Sequence, residues 1–438
     1  MFLFCYPFFM KILAEQNKTH LLILSIMIIC VVVLVLLRLY GAINLGGFFA
    51  DEQRRATAIE EILSDDKKLG FKQISLRGIP IFVQTDKGLS SFVFLGLGSG
   101  FAGIFGTGKV ALRLFMCVLT ILAIILLGKS MQYFYKDSKK VLWGTMLIGL
   151  SLPWSFLQGM IFWDTTLAPV LCCLAIFCFA RILYKEKFKM FYKILLPVSL
   201  ILMVYCYFPT GFFAVLAYFL AICFLIGTKR MKIKEFFLIQ LPVCFLVGAP
   251  FLFAYMENAT MLMGRSGDLS IFNKENPKGL FISNMSGFLS PEFLFSAGDE
   301  NRRHCIGMLG MLLPSAIIPL LMNLYFLLRG GSTYKEKWII LLAYVGILIS
   351  FGAASLTCGG QPHSLRSNLA WPPFVILITM GFAMIAGAFA NSSGVKKVCW
   401  MLILTISVGI MVFCVTLYLK AFFMEYIPKS GEFFRKQA

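Results

Sequence analysis

Charge is scarce in this chain. Of its 438 residues only 14% are Asp, Glu, Lys or Arg, while 59% are hydrophobic. A water-soluble domain of that length needs far more polar surface, so a soluble globular protein is excluded and a polytopic membrane protein is expected. Acid is the scarcer sign, 21 Asp+Glu against 40 Lys+Arg, for a net charge of +19. Histidine occurs three times, and none of the 13 cysteines stands in a CxxC pair, which excludes a zinc module. Nine cysteines (Cys30, Cys117, Cys172, Cys173, Cys178, Cys223, Cys244, Cys399 and Cys414) fall inside apolar runs, where they act as small hydrophobes. Only Cys305 and Cys358 lie in segments assigned outside, and the sequence leaves open whether they pair. No repeat relates the two halves, as transporters often show.

What is present is a series of long apolar runs. Spanning a bilayer takes about 20 apolar residues, and runs near that length centre on Leu21–Leu37, Val110–Leu127, Val141–Leu157, Leu167–Leu183, Ile194–Phe212, Phe213–Ile226, Phe236–Tyr255, Met308–Leu328, Trp338–Ala354, Leu369–Ala390 and Val398–Leu419. The first lacks a small-residue cleavage site and reads as an uncleaved anchor. Lysine clusters at Lys136–Lys140, Tyr184–Lys193, Lys229–Lys234, Tyr334–Lys337 and Lys396–Lys397 alternate with lysine-poor loops. By the positive-inside rule these clusters face the cytoplasm, the N-terminus lies inside and the C-terminus outside. Most of the net charge is thereby a topology signal, and no nucleic acid partner is needed. The uncharged run Gly88–Gly106 would invert every later loop if it crossed, and its glycines make a poor straight helix. It reads as re-entrant or surface-lying. Gly103, Gly108 and Lys109 imitate a P-loop, but Val110 stands where Ser or Thr must bind magnesium.

The expected fold is therefore all-α: about 11 transmembrane helices in one domain (1–420), with a short outside tail (421–438). Two outside loops are long, about 38–109 and 256–307, and long ordered loops on such a scaffold carry function. The first begins "GGFFADEQRRATAIEEIL" (Gly46–Leu63), where Ala56, Ile59, Ile62 and Leu63 follow helical spacing. This predicts a short amphipathic helix flat on the membrane, opened by Asp51 and Glu52. Acids in a first turn also complement the helix dipole without any chemistry.

Several segments, in order, resemble the GT-C type glycosyltransferases that use polyprenyl-phosphate sugars, in particular glycosyltransferase family 39 with its protein O-mannosyltransferases and aminoarabinose transferases. They are the "DE" opening a surface helix, "ALRL" (Ala111–Leu114), "LSLPWSFLQGMIFWDTTLAPVL" (Leu150–Leu171), "YCYFPTGFF" (Tyr205–Phe213), "PEFLFSAGDENRRH" (Pro291–His304) and "PHSLRSNLAWPP" (Pro362–Pro373). The resemblance covers about residues 20–390. It implies a membrane enzyme that moves a sugar, with inversion, from a lipid phosphate to a hydroxyl acceptor (protein, lipid or envelope glycan) at the outer face of the cytoplasmic membrane.

In that reading Asp51 is the general base, Glu52 and Asp164 place hydroxyls, and Tyr207 marks the Tyr-x-Tyr-x-Pro turn. Arg303, His304 and Arg366 face the leaving phosphate, and His363 is a further substrate-binding candidate. Each has a plainer alternative: Arg366 as an interfacial snorkelling residue, Arg302 and Arg303 as solvated charges, the histidines as structural hydrogen-bonders. With three histidines no dedicated metal cage is expected, while a carboxylate-bound divalent cation (Mg or Mn) near Asp51 stays open. Two positions depart from the bacterial pattern: Met160 stands where Arg often precedes the second acid, and Gly211 where Arg often follows the turn. The large soluble C-terminal domain of some relatives has no counterpart in 421–438. The competing classes are a transporter or lipid-linked-sugar flippase, and a catalytically inert relative.

Overall fold

A computed structural model describes residues 16–64, 73–76, 79–85, 88–135, 138–185, 187–329 and 333–434. All eleven apolar runs contain helix, and among the described residues nine helices are long and apolar enough to cross a membrane. The protein is a multi-pass membrane protein. Long crossings are α1 (Gln16–Asn44), α4 (Lys109–Phe134), α7 (Leu167–Tyr184), α8 (Lys189–Cys206), α9 (Phe208–Gly227), α10 (Leu241–Leu269, entered through a π turn at Phe236–Gln240), α13 (Tyr334–Ser355), α14 (Trp371–Ala390) and α15 (Gly394–Lys420).

Two runs fall short, each for a local reason. The run Val141–Leu157 divides into α5 (Lys139–Ser151) and α6 (Pro153–Gln158). Pro153 has no N–H to give the Gly149 carbonyl and cannot continue the helix. The freed carbonyls are not left bare: Arg38, fully buried, donates from Nη2 to Gly149 O at 3.1 Å and from Nε to Leu150 O at 3.0 Å. Its Nη1 also donates to Ser155 O at 2.9 Å. An arginine inside an apolar helix thus satisfies a proline break in its neighbour, as buried backbone groups require. The run from Met308 is helical only from Pro314, and α12 (Ile317–Arg329) is correspondingly short.

The first long loop holds α2 (Ala50–Leu63), the amphipathic helix expected there, α3 (Phe92–Phe105) and, between them, a feature the sequence reading did not contain. The unforeseen feature is a three-stranded antiparallel sheet, β1 (Gln73–Leu76), β2 (Ile79–Thr85) and β3 (Gly88–Ser91), in that order. Phe82 of β2 stacks on Tyr205 at 5.8 Å, which ties the sheet to the α8–α9 hairpin. The uncharged run Gly88–Gly106 is divided between β3 and α3. Ser91 caps α3 by accepting from the Phe94 N–H at 3.2 Å. Fourteen residues span only about 21 Å, too little to cross, so the alternation of the later helices is preserved.

The bundle has two ends. At one, Lys335 lies 3.8 Å from the Tyr184 ring and Lys193 pairs with Glu235 at 2.8 Å, so the lysine-bearing loops meet there. At the other, α2 meets the loop before α7, which in turn meets the loop before α14. The segment expected as a tail is ordered here through Phe434: α16 (Ile427–Phe433) docks on the α1–α2 junction, where Ser430 Oγ accepts from the Gly46 N–H at 2.7 Å. Trp154 sits at the centre of the main core, ringed by Phe293, Phe351 and Phe374.

Candidate active site

The site starts at the N-terminus of α2. Glu52, the third helical residue, accepts from the Phe49 N–H at 3.2 Å, the returning half of a capping box. The same carboxylate is gripped by Arg113 of α4, Nε to Oε1 at 3.0 Å and Nη2 to Oε2 at 2.6 Å. Oε1 also takes the Phe162 N–H at 3.1 Å, and Arg113 Nη1 reaches Leu45 O at 2.6 Å. Neither side chain has any solvent exposure. The surrounding protein occupies both Glu52 oxygens, and the pair clamps α1, α2, α4 and the loop before α7 together.

Asp51 points elsewhere, because consecutive helical side chains diverge by about 100°. Its side chain is 34% exposed. Oδ1 accepts from Arg54 at 2.7 Å, and Oδ2 takes no bond from a described residue. Arg55 then joins the two predicted aspartates: Nη1 donates to the Asp51 carbonyl at 2.8 Å and Nη2 to Asp164 Oδ1 at 2.6 Å. Asp164 is only 6% exposed. The cation expected four residues upstream is supplied from α2 instead, and Met160 is packed in an apolar cluster with Phe156, Tyr418 and Phe422.

The second long loop closes over these acids. Arg303 lies over the ring of Phe49, two residues before Asp51, at 3.9 Å. Burial lowers its pKa, and the charges of Asp51, then Asp299, push it back up. His304 Nδ1 bonds Asp299 Oδ2 at 3.0 Å, and His363 Nδ1 lies 3.9 Å from the same oxygen. Ser364 donates to that oxygen from both N and Oγ at 2.8 Å. Burial would raise the Asp299 carboxyl. The His304 hydrogen bond, the positive charge of both imidazoles and the Ser364 N–H outweigh it and bring the pKa to about 2. Burial, followed by the charges of His304 and Arg366, pulls His363 down to about 3. Gly298 turns the chain into Asp299 at φ +77°, and a Cβ there would lie 2.4 Å from Cys305 Sγ, so only glycine fits. Cys305 and Cys358 are not joined to each other in a disulfide.

Arg366 is 9% exposed and donates from Nη1 to Thr357 Oγ1, Cys358 O and Gly359 O at 3.0–3.1 Å. That pattern is loop anchoring, not snorkelling. Tyr207 is the single residue between α8 and α9, in extended backbone at φ −165°, at this same end of the bundle. Gly211, one turn into α9, leaves no charge there.

Among the described residues ten buried side-chain polar atoms lack a hydrogen-bond partner, and six of them belong here: Arg55 Nε, Gln158 Oε1, Trp163 Nε1, Thr165 Oγ1, His363 Nδ1 and Asn368 Oδ1. Their residues are linked: Gln158 to Ser364 at 2.8 Å, Asn368 to the Thr165 carbonyl at 2.7 Å, and Trp163 edge-on to His304 at 5.4 Å. Buried polar groups are almost always paired. A concentration of unpaired donors and acceptors marks a place built for a polyhydroxylated or charged ligand. The sequence reading missed Arg55, Gln158, Asn368, and Asp299 as a site residue. Asp299 carried the one available signal, an acid five residues before His304.

Asp299, His304 and His363 also offer three ligand atoms within 4.8 Å of one another. The partnerless Nδ1 of His363 fits a metal ligand, and two imidazoles with one carboxylate suit zinc or manganese better than magnesium. The expectation placed such an ion near Asp51; Asp51 is not in this group. Two of the chain's three histidines converge here because separate loops bring them together.

No family model and no curated protein matches the chain in sequence. Solved structures do match in fold. The crystal structure of ArnT from Cupriavidus metallidurans bound to undecaprenyl phosphate superposes with a TM-score of 0.54 at 11% identity, over 93% of this chain and 77% of that one. The apo form gives 0.50 at 10%, over 93% and 74%. The Archaeoglobus fulgidus oligosaccharyltransferase, in complex with zinc and sulfate, gives 0.51 at 11%, over 92% of this chain and 53% of that one. The chain thus spans about half the length of the archaeal protein. At such identities what is shared is the fold: this chain has the fold seen in these solved structures.

Proposed function

We propose that this GT-C-fold protein transfers a sugar from a polyprenyl-phosphate carrier to a hydroxyl acceptor, with inversion, and that Asp51 is the base. The observation that carries this is the six unpaired buried polar atoms gathered beside Asp51 and Asp164 at one end of the bundle. Of the three acids expected here, Asp51 is the most exposed, 34% against 6% for Asp164 and none for Glu52, and its Oδ2 takes no bond from a described residue. As the acceptor oxygen bonds to the anomeric carbon, its proton passes to the Asp51 carboxylate. The carbon–oxygen bond to phosphate breaks on the opposite side, its electron pair staying with the departing polyprenyl phosphate. Arg303 and Arg366 stabilise that charge, and Asp164, held by Arg55, orients sugar hydroxyls. A divalent ion, if bound by Asp299, His304 and His363, supplies further positive charge near the phosphate. The direct test is mass spectrometry of surface glycans and lipid-linked sugars from cells with and without the gene. Identical glycans together with unchanged lipid-linked sugars would sink the proposal.

The orientation that goes with this reading puts the lysine end in the cytoplasm and the site outside, with the N-terminus inside the cytoplasmic membrane. In a background without reactive cysteine, Glu60→Cys should react with an impermeant reagent on intact cells while Lys139→Cys should not. The reverse pattern overturns the orientation.

Arg366→Ala should lower transfer by one to two decades, because a charge-assisted contact to phosphate contributes about 1.5–3 kcal/mol. Arg366→Lys should recover only part, since a point charge replaces a fork. A role limited to holding the 357–359 loop would instead lower thermal stability and leave the KM for the lipid donor unchanged.

A further inference from the structure

A cavity of about 430 Å³ opens among α7, α8, α9, α13 and α14, away from the candidate active-site residues. Its volume lies within the range of small-molecule sites, about 300–1,000 Å³. The walls are apolar: Phe213, Ala217 and Ala221 of α9, Leu196 and Leu200 of α8, and Ala343 of α13 line it. Its mouth is not. There Arg230, Lys335 and Thr228 meet Tyr184, Tyr334 and Trp338 at the lysine end of the bundle. From Thr228 to Phe213 along α9 is fifteen residues, or about 22 Å. The cavity therefore reaches past the middle of a hydrocarbon core about 30 Å thick.

We infer that this cavity is a binding site for an anionic phospholipid drawn from the leaflet at the lysine end, one acyl chain in the cavity and the phosphate against Arg230 and Lys335. Three features select that occupant. The wall is apolar over a length that suits one extended chain. The two cations stand at the mouth and nowhere deeper, where a lipid phosphate sits. Tyr184, Tyr334 and Trp338 are at headgroup level, where amphipathic rings are favoured. Anionic lipid at a membrane surface attracts Lys and Arg with about 1 kcal/mol each, which corresponds to roughly a fivefold change in occupancy per cation. A zwitterionic lipid offers the same tail but not the net charge. The polyprenyl phosphate of the proposed reaction belongs at the other end of the bundle, so this site is independent of that reading.

The test is native mass spectrometry of the purified full chain, delipidated in detergent and titrated with phosphatidylglycerol or phosphatidylcholine of the same acyl chains. Phosphatidylglycerol should bind at least tenfold more tightly. Arg230→Ala combined with Lys335→Ala should reduce that preference by about tenfold while phosphatidylcholine binding stays the same. Ala221→Leu, which fills the cavity from α9, should weaken both lipids, and Ala217→Leu provides a second filler should the first variant fold poorly. Glycerol phosphate, the headgroup without chains, should not compete. Equal binding of the two lipids, full competition by glycerol phosphate, or no effect of either filler would each overturn the assignment.

Discussion

Asp51→Asn should abolish detectable transfer in purified protein supplied with a polyprenyl-phosphate sugar. General-base assistance is typically worth about 10²–10⁴-fold, and an amide keeps the shape of the carboxylate without its capacity to take a proton. Donor binding should survive in large part, because the phosphate contacts proposed here come from Arg303 and Arg366. Thermal stability should barely change. Among the described residues the Asp51 carboxylate takes a hydrogen bond only from Arg54, in a partly exposed (i, i+3) pair, and such pairs contribute about 0–1 kcal/mol. A first-turn acid that merely complements the helix dipole predicts the opposite result: near-wild-type turnover with a small loss of stability. That outcome would remove Asp51 from the chemistry.

Glu52→Gln, one residue on, should behave in the reverse way. It leaves the Arg113 guanidinium fully buried with no counter-charge, and removing one partner of such a pair costs about 3–5 kcal/mol. Much of the variant should be lost from the membrane fraction, and what remains should melt well below wild type in detergent. Arg113→Met should be comparably damaging. The double variant should be less damaging than the two losses added, since no unpaired charge is left. Per folded molecule, Glu52→Gln should retain far more transfer than Asp51→Asn. Wild-type melting with transfer abolished would return Glu52 to the catalytic set.

Much of this protein was legible in its sequence. The apolar runs, the alternating lysine clusters and the proline turn at Tyr207 required only the length of a bilayer and the charge rule. The stripe Ala56, Ile59 and Ile62 placed α2, and with it Asp51 and Glu52, at the head of a surface helix. Ordered motifs brought Asp164, Arg303, His304, His363 and Arg366 forward as candidates, and the fold gathers them at one end.

The tertiary structure decided what each of those residues touches. Adjacent acids look alike in a sequence, yet the 100° step of a helix sends Glu52 into Arg113 and Asp51 to the surface. Arg55 reaches an aspartate 109 residues away, and Asn368 a carbonyl 203 residues away. The pairing of His304 with His363 depends on loops from different parts of the chain. Arg38 is an odd charge in an apolar run until the break at Pro153 shows which carbonyls it serves. Local pattern fixes where helices run, because burial and backbone hydrogen bonding repeat along the chain. Which polar groups find partners, and which six stay unpaired beside Asp51, is set by contacts between distant segments that no local pattern encodes.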